Sequence, residues 1–244
     1  MSVVSSSRSQ DRFATTRWSV VMQMATTDSP DAQTALTELS QRYWYPVYAY
    51  VRRCGHIPPI AEEITRAFLR HLIAQVQDAQ LRPPRGHFRR FLLDQLNLFL
   101  GGDWREAVTE DNRNPLRAPL DLEARNLRDN AHALSPEAAY QRCFALEVLS
   151  RALHRLRSEA NQTGHAEMFD ALNPYLTRDP GPGEYQAIAA RLKIPPLALV
   201  VALKRLRQRF RELAGQELSD TVTSAQDLAS EQAALLTVLR EASA

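Results

Sequence analysis

Five cations crowd one short segment of the chain: Lys204, Arg205, Arg207, Arg209 and Arg211. Lys204, Arg207 and Arg211 recur at spacings of three and four, which places them on one face of a helix. Such a stripe neutralises phosphates and releases their counterions, so its chemistry is nucleic-acid binding rather than bond making. The alternative is the solvated face of a bundle helix. No bond-making constellation accompanies it. His56, His71, His87, His132, His154 and His165 follow no metal-ligand spacing, and the chain has no glycine-rich phosphate loop or nucleophile elbow. Glu62 and Glu63 are adjacent, so on a helix they diverge by about 100° and make no acid–base pair. Cys54 and Cys143 stand far apart without a CxxC, which suggests neither a zinc site nor a disulfide framework. The expectation is a protein without cofactor, metal or enzymatic activity.

The cations need an element to carry them. Tyr185, Ile188, Ala189 and Leu192 fall at i, i+3, i+4 and i+7, the stripe of a short amphipathic helix that must end before Pro195. Pro196 suits the first turn of a second helix, where a missing N–H costs nothing. Leu199, Leu203, Leu206, Phe210 and Leu213 then form its buried face. Two helices meeting at a tight turn, the second one basic, make the sequence form of a helix-turn-helix. Leu197, Val200 and Val201 stand exposed at the start of the second helix, where polar base-reading groups are expected, so phosphate binding is better supported than base reading.

The whole chain reads as all-α. Its 244 residues are 44% hydrophobic with a net charge of +2 and a pI near 8.7, enough apolar content for two cores. No apolar run approaches the ~18 residues of a membrane span, and the Ser-rich start lacks a secretion core. A cytoplasmic protein with no membrane partner is expected. Residues 1–12 read as a disordered polar tail, and 13–102 as a first helical domain. Its helices are expected first after a cap at Thr15 or Thr16, with Trp18, Val21 and Met22 inside, and then over Ala32–Cys54, Ala61–Gln77 and Phe88–Leu100, with Glu62 and Glu63 favouring the dipole of the Ala61–Gln77 helix from its first turns. RYWYPVYAYVRR is aromatic-dense; unpaired bases could stack there, but aromatics at helical spacing are more often core. Residues 103–133 sustain no apolar stripe and read as a flexible linker with a short helix near Asp121–Arg128. Residues 134–215 form a second domain holding the helix-turn-helix, and 216–244 a helical extension.

FATTRWSVV, RYWYPVYAYVRRCGH, GHFRRFLL and the distal helix-turn-helix, taken together, resemble a branch of the extracytoplasmic-function sigma factors. The resemblance runs from about Phe13 to the C-terminus and implies two helical domains joined by a linker. It implies that Glu62 and Glu63 face RNA polymerase core, and that Arg85, His87, Arg89 and Arg90 contact the opened promoter strand. Pro196, Leu197, Val200, Lys204, Arg205, Arg207, Arg209 and Arg211 would then meet promoter DNA. An anti-sigma factor is a further implied partner. The chain also departs from the family pattern. Pro59 and Ile60 replace customary acids, and DQLNLFLGGDWREAVTED replaces a basic stretch. Some branches with a depleted acidic run look switched by a serine/threonine kinase, which makes Thr65 a candidate phosphorylation site. These departures also fit a sigma-derived regulator or decoy that no longer melts promoters.

Overall fold

A computed structural model describes residues 30–77, 87–109, 118–130, 135–219, 221–222 and 224–241. The described residues form ten α-helices and no strand, so the protein is all-α. They are α1 (Pro30–Arg53), α2 (Pro58–Gln77), α3 (Phe88–Gly101), α4 (Trp104–Thr109), α5 (Leu122–Asp129), α6 (Pro136–Gln162), α7 (Ala166–Leu172), α8 (Glu184–Leu192), α9 (Pro196–Ser219) and α10 (Ala225–Glu241). Two compact units emerge: residues 1–147 with 218–244, and residues 148–217. Their boundaries fall inside α6 and α9, whereas the sequence patterning suggests a division at 103–133 and a separate extension from 216. Among the described residues no single helix is long and apolar enough to cross a membrane.

The first unit is built around α1. Every residue from Tyr43 to Val51 is buried, Pro46 included, because the segment is apolar or aromatic all the way round the helix. The aromatic run is therefore core and not a stacking surface. Its hydroxyls still need acceptors in a low-dielectric interior. Tyr45 donates to Asp129 (2.9 Å), Tyr48 to Glu123 (2.5 Å) and Tyr50 to Asn97 (2.7 Å). Burial pushes the Tyr50 hydroxyl up to about 12 and those of Tyr45 and Tyr48 higher still. Arg52 clamps Glu123 through Nε (2.9 Å) and Nη2 (2.6 Å), holding that carboxyl below its ordinary range. These bonds anchor α5. The short helix expected near Asp121–Arg128 is α5, and it is packed structure rather than flexible linker, held by polar contacts that an apolar periodicity cannot register; residues 110–117 and 131–134 lie outside the described residues. The expected tail at 1–12 and the helix expected after Thr15 or Thr16 also lie outside them.

The second unit has two apolar clusters. Ala171, Leu172, Tyr175, Ile188, Ala189, Leu199 and Leu203 form one; Ala152, Leu156, Ala160, Phe169 and Leu213 form the other. Leu206 packs against both and joins them. The stripes read from the sequence, with Leu199, Leu203 and Leu213 wholly buried, are the faces that meet here.

Lys193, which joins α8 to α9, adopts φ 55° and ψ 40° in the left-handed region. A β-carbon is strained there and glycine is not. Lys193→Gly should therefore stabilise the unit by about 0.5–1 kcal/mol, the relieved strain exceeding the added chain entropy. A thermal melt showing no rise, or a fall, would contradict this account of the turn.

Candidate nucleic-acid interface

The geometry of the α8–α9 pair follows from its turn. Ile194 N–H donates to the Ala189 carbonyl (3.1 Å) and Lys193 N–H to the Ala190 carbonyl (3.4 Å), the paired bonds of a Schellman cap. Ile194 packs onto the adjoining apolar cluster, fixing the exit direction of the chain. Pro195 and Pro196 forbid continuation of α8, and the Pro195 carbonyl accepts the first bonds of α9, from Ala198 (3.0 Å) and Leu199 (3.4 Å). The two helices consequently meet at a bend of 99°. Before α8, Glu184 ties its own entry loop, accepting from Tyr175 Oη (2.9 Å), from Arg178 and from the Gly181 N–H. The Arg178 guanidinium, followed by the Gly181 N–H, holds the Glu184 carboxyl down to about 2.

The five cations of α9 divide by task. Arg207 donates to the carbonyls of Tyr175 (3.0 and 2.7 Å) and Arg178 (2.5 Å) and pairs with Asp179 (2.8 Å). Arg209 grips Glu159 (2.8 and 2.7 Å) and reaches Glu212 (3.1 Å). Both therefore serve the fold, closing the entry loop and tying α9 to α6. The expected single stripe of Lys204, Arg207 and Arg211 is split by this pairing, because a guanidinium beside orphan carbonyls or a carboxylate is held by them. Arg211 is exposed and donates to Gln208 (2.8 Å). Lys204 and Arg205 are exposed, and no described residue pairs with them. Two further exposed cations, Arg191 and Lys193, sit at the turn itself; the sequence signal for them was position next to the proline pair rather than membership of the α9 row.

Leu197 is 74% exposed and Val200 43%, as their register on α9 implies. Pro196 is exposed too. Leu197 and Val201 rim a groove of about 850 Å³ whose walls include Leu156, Met168 and Arg205.

In the first unit the candidate residues are not brought into one open surface. Arg85 lies outside the described residues. Arg90 is exposed and Arg89 and His87 are only partly so: Arg89 pairs with Glu231 of α10 (Nε at 2.6 Å), and His87 Nδ1 lies 3.0 Å from the same carboxylate without hydrogen-bond geometry. Glu63 is exposed and Glu62 half-buried, but α2 begins at Pro58 and has no acid in its first turn, so neither glutamate sits at the dipole's positive end. Thr65 is 0% exposed and its hydroxyl donates to the Ala61 carbonyl (2.7 Å). That overturns Thr65 as a phosphorylation site of the folded protein, since a kinase must grasp the side chain from solvent. Its position on the inner face, beside the core residue Ile64, decides this. Two of the described histidines pack against aromatic rings: His56 lies edge-on to Trp104 and His71 beside Phe99, and burial lowers the pKa of both.

Neither a family model nor a curated protein nor a solved structure matches this chain.

Two outcomes test this placement. Thr65→Glu forces a carboxylate into the core and should cost at least about 3 kcal/mol, whereas Thr65→Val should cost about 1 kcal/mol; equal melting temperatures for the two would mean that the site is open. Leu197→Ser combined with Val200→Ser should leave stability within about 0.5 kcal/mol of the parent, as expected of exposed positions. A larger loss in chemical denaturation would place the pair in a buried contact.

Proposed function

We propose that this protein is a sigma-factor-like transcription initiation protein, non-enzymatic and cytoplasmic, that binds RNA polymerase core and directs it to promoter DNA. The observation that carries the reading is the α8–α9 pair: two helices at 99°, a left-handed Schellman turn, and a second helix with exposed cations, Lys204 and Arg205, that no described residue pairs. A helix-turn-helix joins its helices at about 90–120°, and its second helix lies in the major groove. On this reading Lys204, Arg205 and Arg211 approach promoter phosphates, while Arg207 and Arg209 hold the helix in place. Leu197 and Val200 offer apolar contact to thymine methyls and little hydrogen-bonded reading. Glu62 and Glu63 face the polymerase, and Arg85, His87, Arg89 and Arg90 the opened strand, as the family resemblance implies.

A second reading has its own support. The exposed Leu197, Val200 and Val201 beside an apolar groove suit a protein partner as well as DNA, which favours a sigma-derived regulator or decoy acting as an interaction module. Reconstitution with core polymerase on the protein's own upstream region separates the two. Transcripts support initiation; stable association without transcripts supports the decoy.

DNA contact is tested through the cations that have no described partner. Lys204→Gln with Arg205→Gln should leave the melting temperature unchanged and reduce the salt slope of duplex binding by about 1–2 units, with affinity falling across all sequences. An unchanged slope would show that α9 is merely solvated.

A further inference from the structure

The start of α3 is covered by the chain's own C-terminal helix. Arg89 holds Glu231 bidentately, Nε to Oε1 at 2.6 Å and Nη2 to Oε2 at 3.0 Å. His87 lies between the same Glu231 (3.0 Å) and Asp227 (3.9 Å). The backbone joins in: Phe88 N–H donates to the Thr221 carbonyl (3.0 Å), and His87 pairs with Val222 in an isolated antiparallel bridge. All of these residues belong to the first unit.

The way α10 is held is unusual for a packed helix. Its only wholly buried side chains among those described are Glu231, 1% exposed, and Leu235, while Leu236 faces solvent. The helix is thus fastened at its centre by a carboxylate. A buried ion pair adds little net stability, because the desolvation of both charges offsets their attraction. A ligand that supplies equivalent negative charge can therefore replace α10 at small cost, provided that it adds contacts of its own. The surface beneath indicates which ligand that is. Arg90 is exposed next to the covered cations, and the ring of Phe91, half-buried, lies 5.9 Å from that of Phe88. Two arginines and a partly open aromatic ring at successive positions of α3 suit a single strand, whose phosphates pair with the cations while a base stacks on the ring. Asp227 and Glu231, four residues apart on one helix face, offer carboxylates in series as a phosphate backbone does.

We propose that α10 is an intramolecular competitor of single-stranded nucleic acid for Arg89 and the neighbouring His87, so that full strand binding at the start of α3 requires α10 to leave. The proposal rests on the reading above, in which these residues and the exposed Arg90 meet the opened promoter strand, and adds that the intact chain keeps Arg89 and His87 covered.

The experiment uses the full chain and a fluorescent oligodeoxythymidine. Asp227→Asn with Glu231→Gln should bind it about tenfold more tightly at low salt than the parent, with a salt slope steeper by about 1–2 units. Adding Arg89→Gln to that background should return the affinity to the parent's. Glutamine keeps an acceptor beside Arg89, and a melt confirms folding. Should the variant be unstable, hydrogen exchange on the parent decides instead: saturating oligodeoxythymidine should speed exchange across residues 225–241. Unchanged affinity in a folded variant, or unchanged protection of α10 on binding, overturns the proposal. Duplex binding through Lys204 and Arg205 is read separately, so an unchanged salt slope in that variant would overturn the helix-turn-helix reading and leave this result standing.

Discussion

Three tyrosine hydroxyls in a helix that is buried on every side impose the constraint on which the first unit depends. An unpaired hydroxyl in such an interior costs more than a hydrogen bond returns, so each must find an acceptor. Glu123 and Asp129 on α5, and Asn97 on α3, supply them. Glu123 and Asp129, being charged, need cations in turn, and Arg52 and Arg125 answer: Arg52 on Glu123, and Arg125 between Asp129 (3.4 Å) and Glu147 (2.5 Å) while its guanidinium lies 3.9 Å from the Tyr45 ring centre. A short helix with few apolar residues is thereby fixed in register against α1. The same logic recurs at α10, where a nearly sealed Glu231 is tolerable only because Arg89 meets both of its oxygens.

The second unit rests on a different device. Its apolar stripes would pack in more than one way if α8 and α9 were free to choose their angle. The cap at Lys193 and the proline pair remove that freedom, the first by satisfying the last carbonyls of α8 and the second by forbidding its extension. Arg207 and Glu184 then close the loop that precedes α8 from both sides. What remains outward on α9 is a mixed surface, apolar at its start and cationic one to two turns later. Such a surface favours backbone charge and methyl contact over hydrogen-bonded base reading.

Much of this was legible in the residues themselves. Helical class, the apolar faces of α8 and α9, the break at Pro195, the exposure of Leu197 and Val200 and the core role of the aromatic run follow from periodicity, because a 3.6-residue repeat states which side must be buried. The sequence by itself also determined that no pattern for bond-making chemistry is present and that a cationic row lies on α9. Only the tertiary structure decided which cations are free. Arg207 and Lys204 look equivalent along the chain, yet the Tyr175 and Arg178 carbonyls and Asp179 claim the first and no described residue claims the second. Likewise α5 was expected as a short helix, but its docking comes from hydroxyl and carboxylate partners 75 and 84 positions away. Pairing between distant charges depends on where side chains converge after folding, and a one-dimensional pattern of spacing holds no record of it. For the same reason the meeting of Glu231 with Arg89 across 142 positions of sequence was decided by packing alone, whereas the burial of Thr65 follows from its register with Ala61, Phe68 and Leu72 on the inner face of α2.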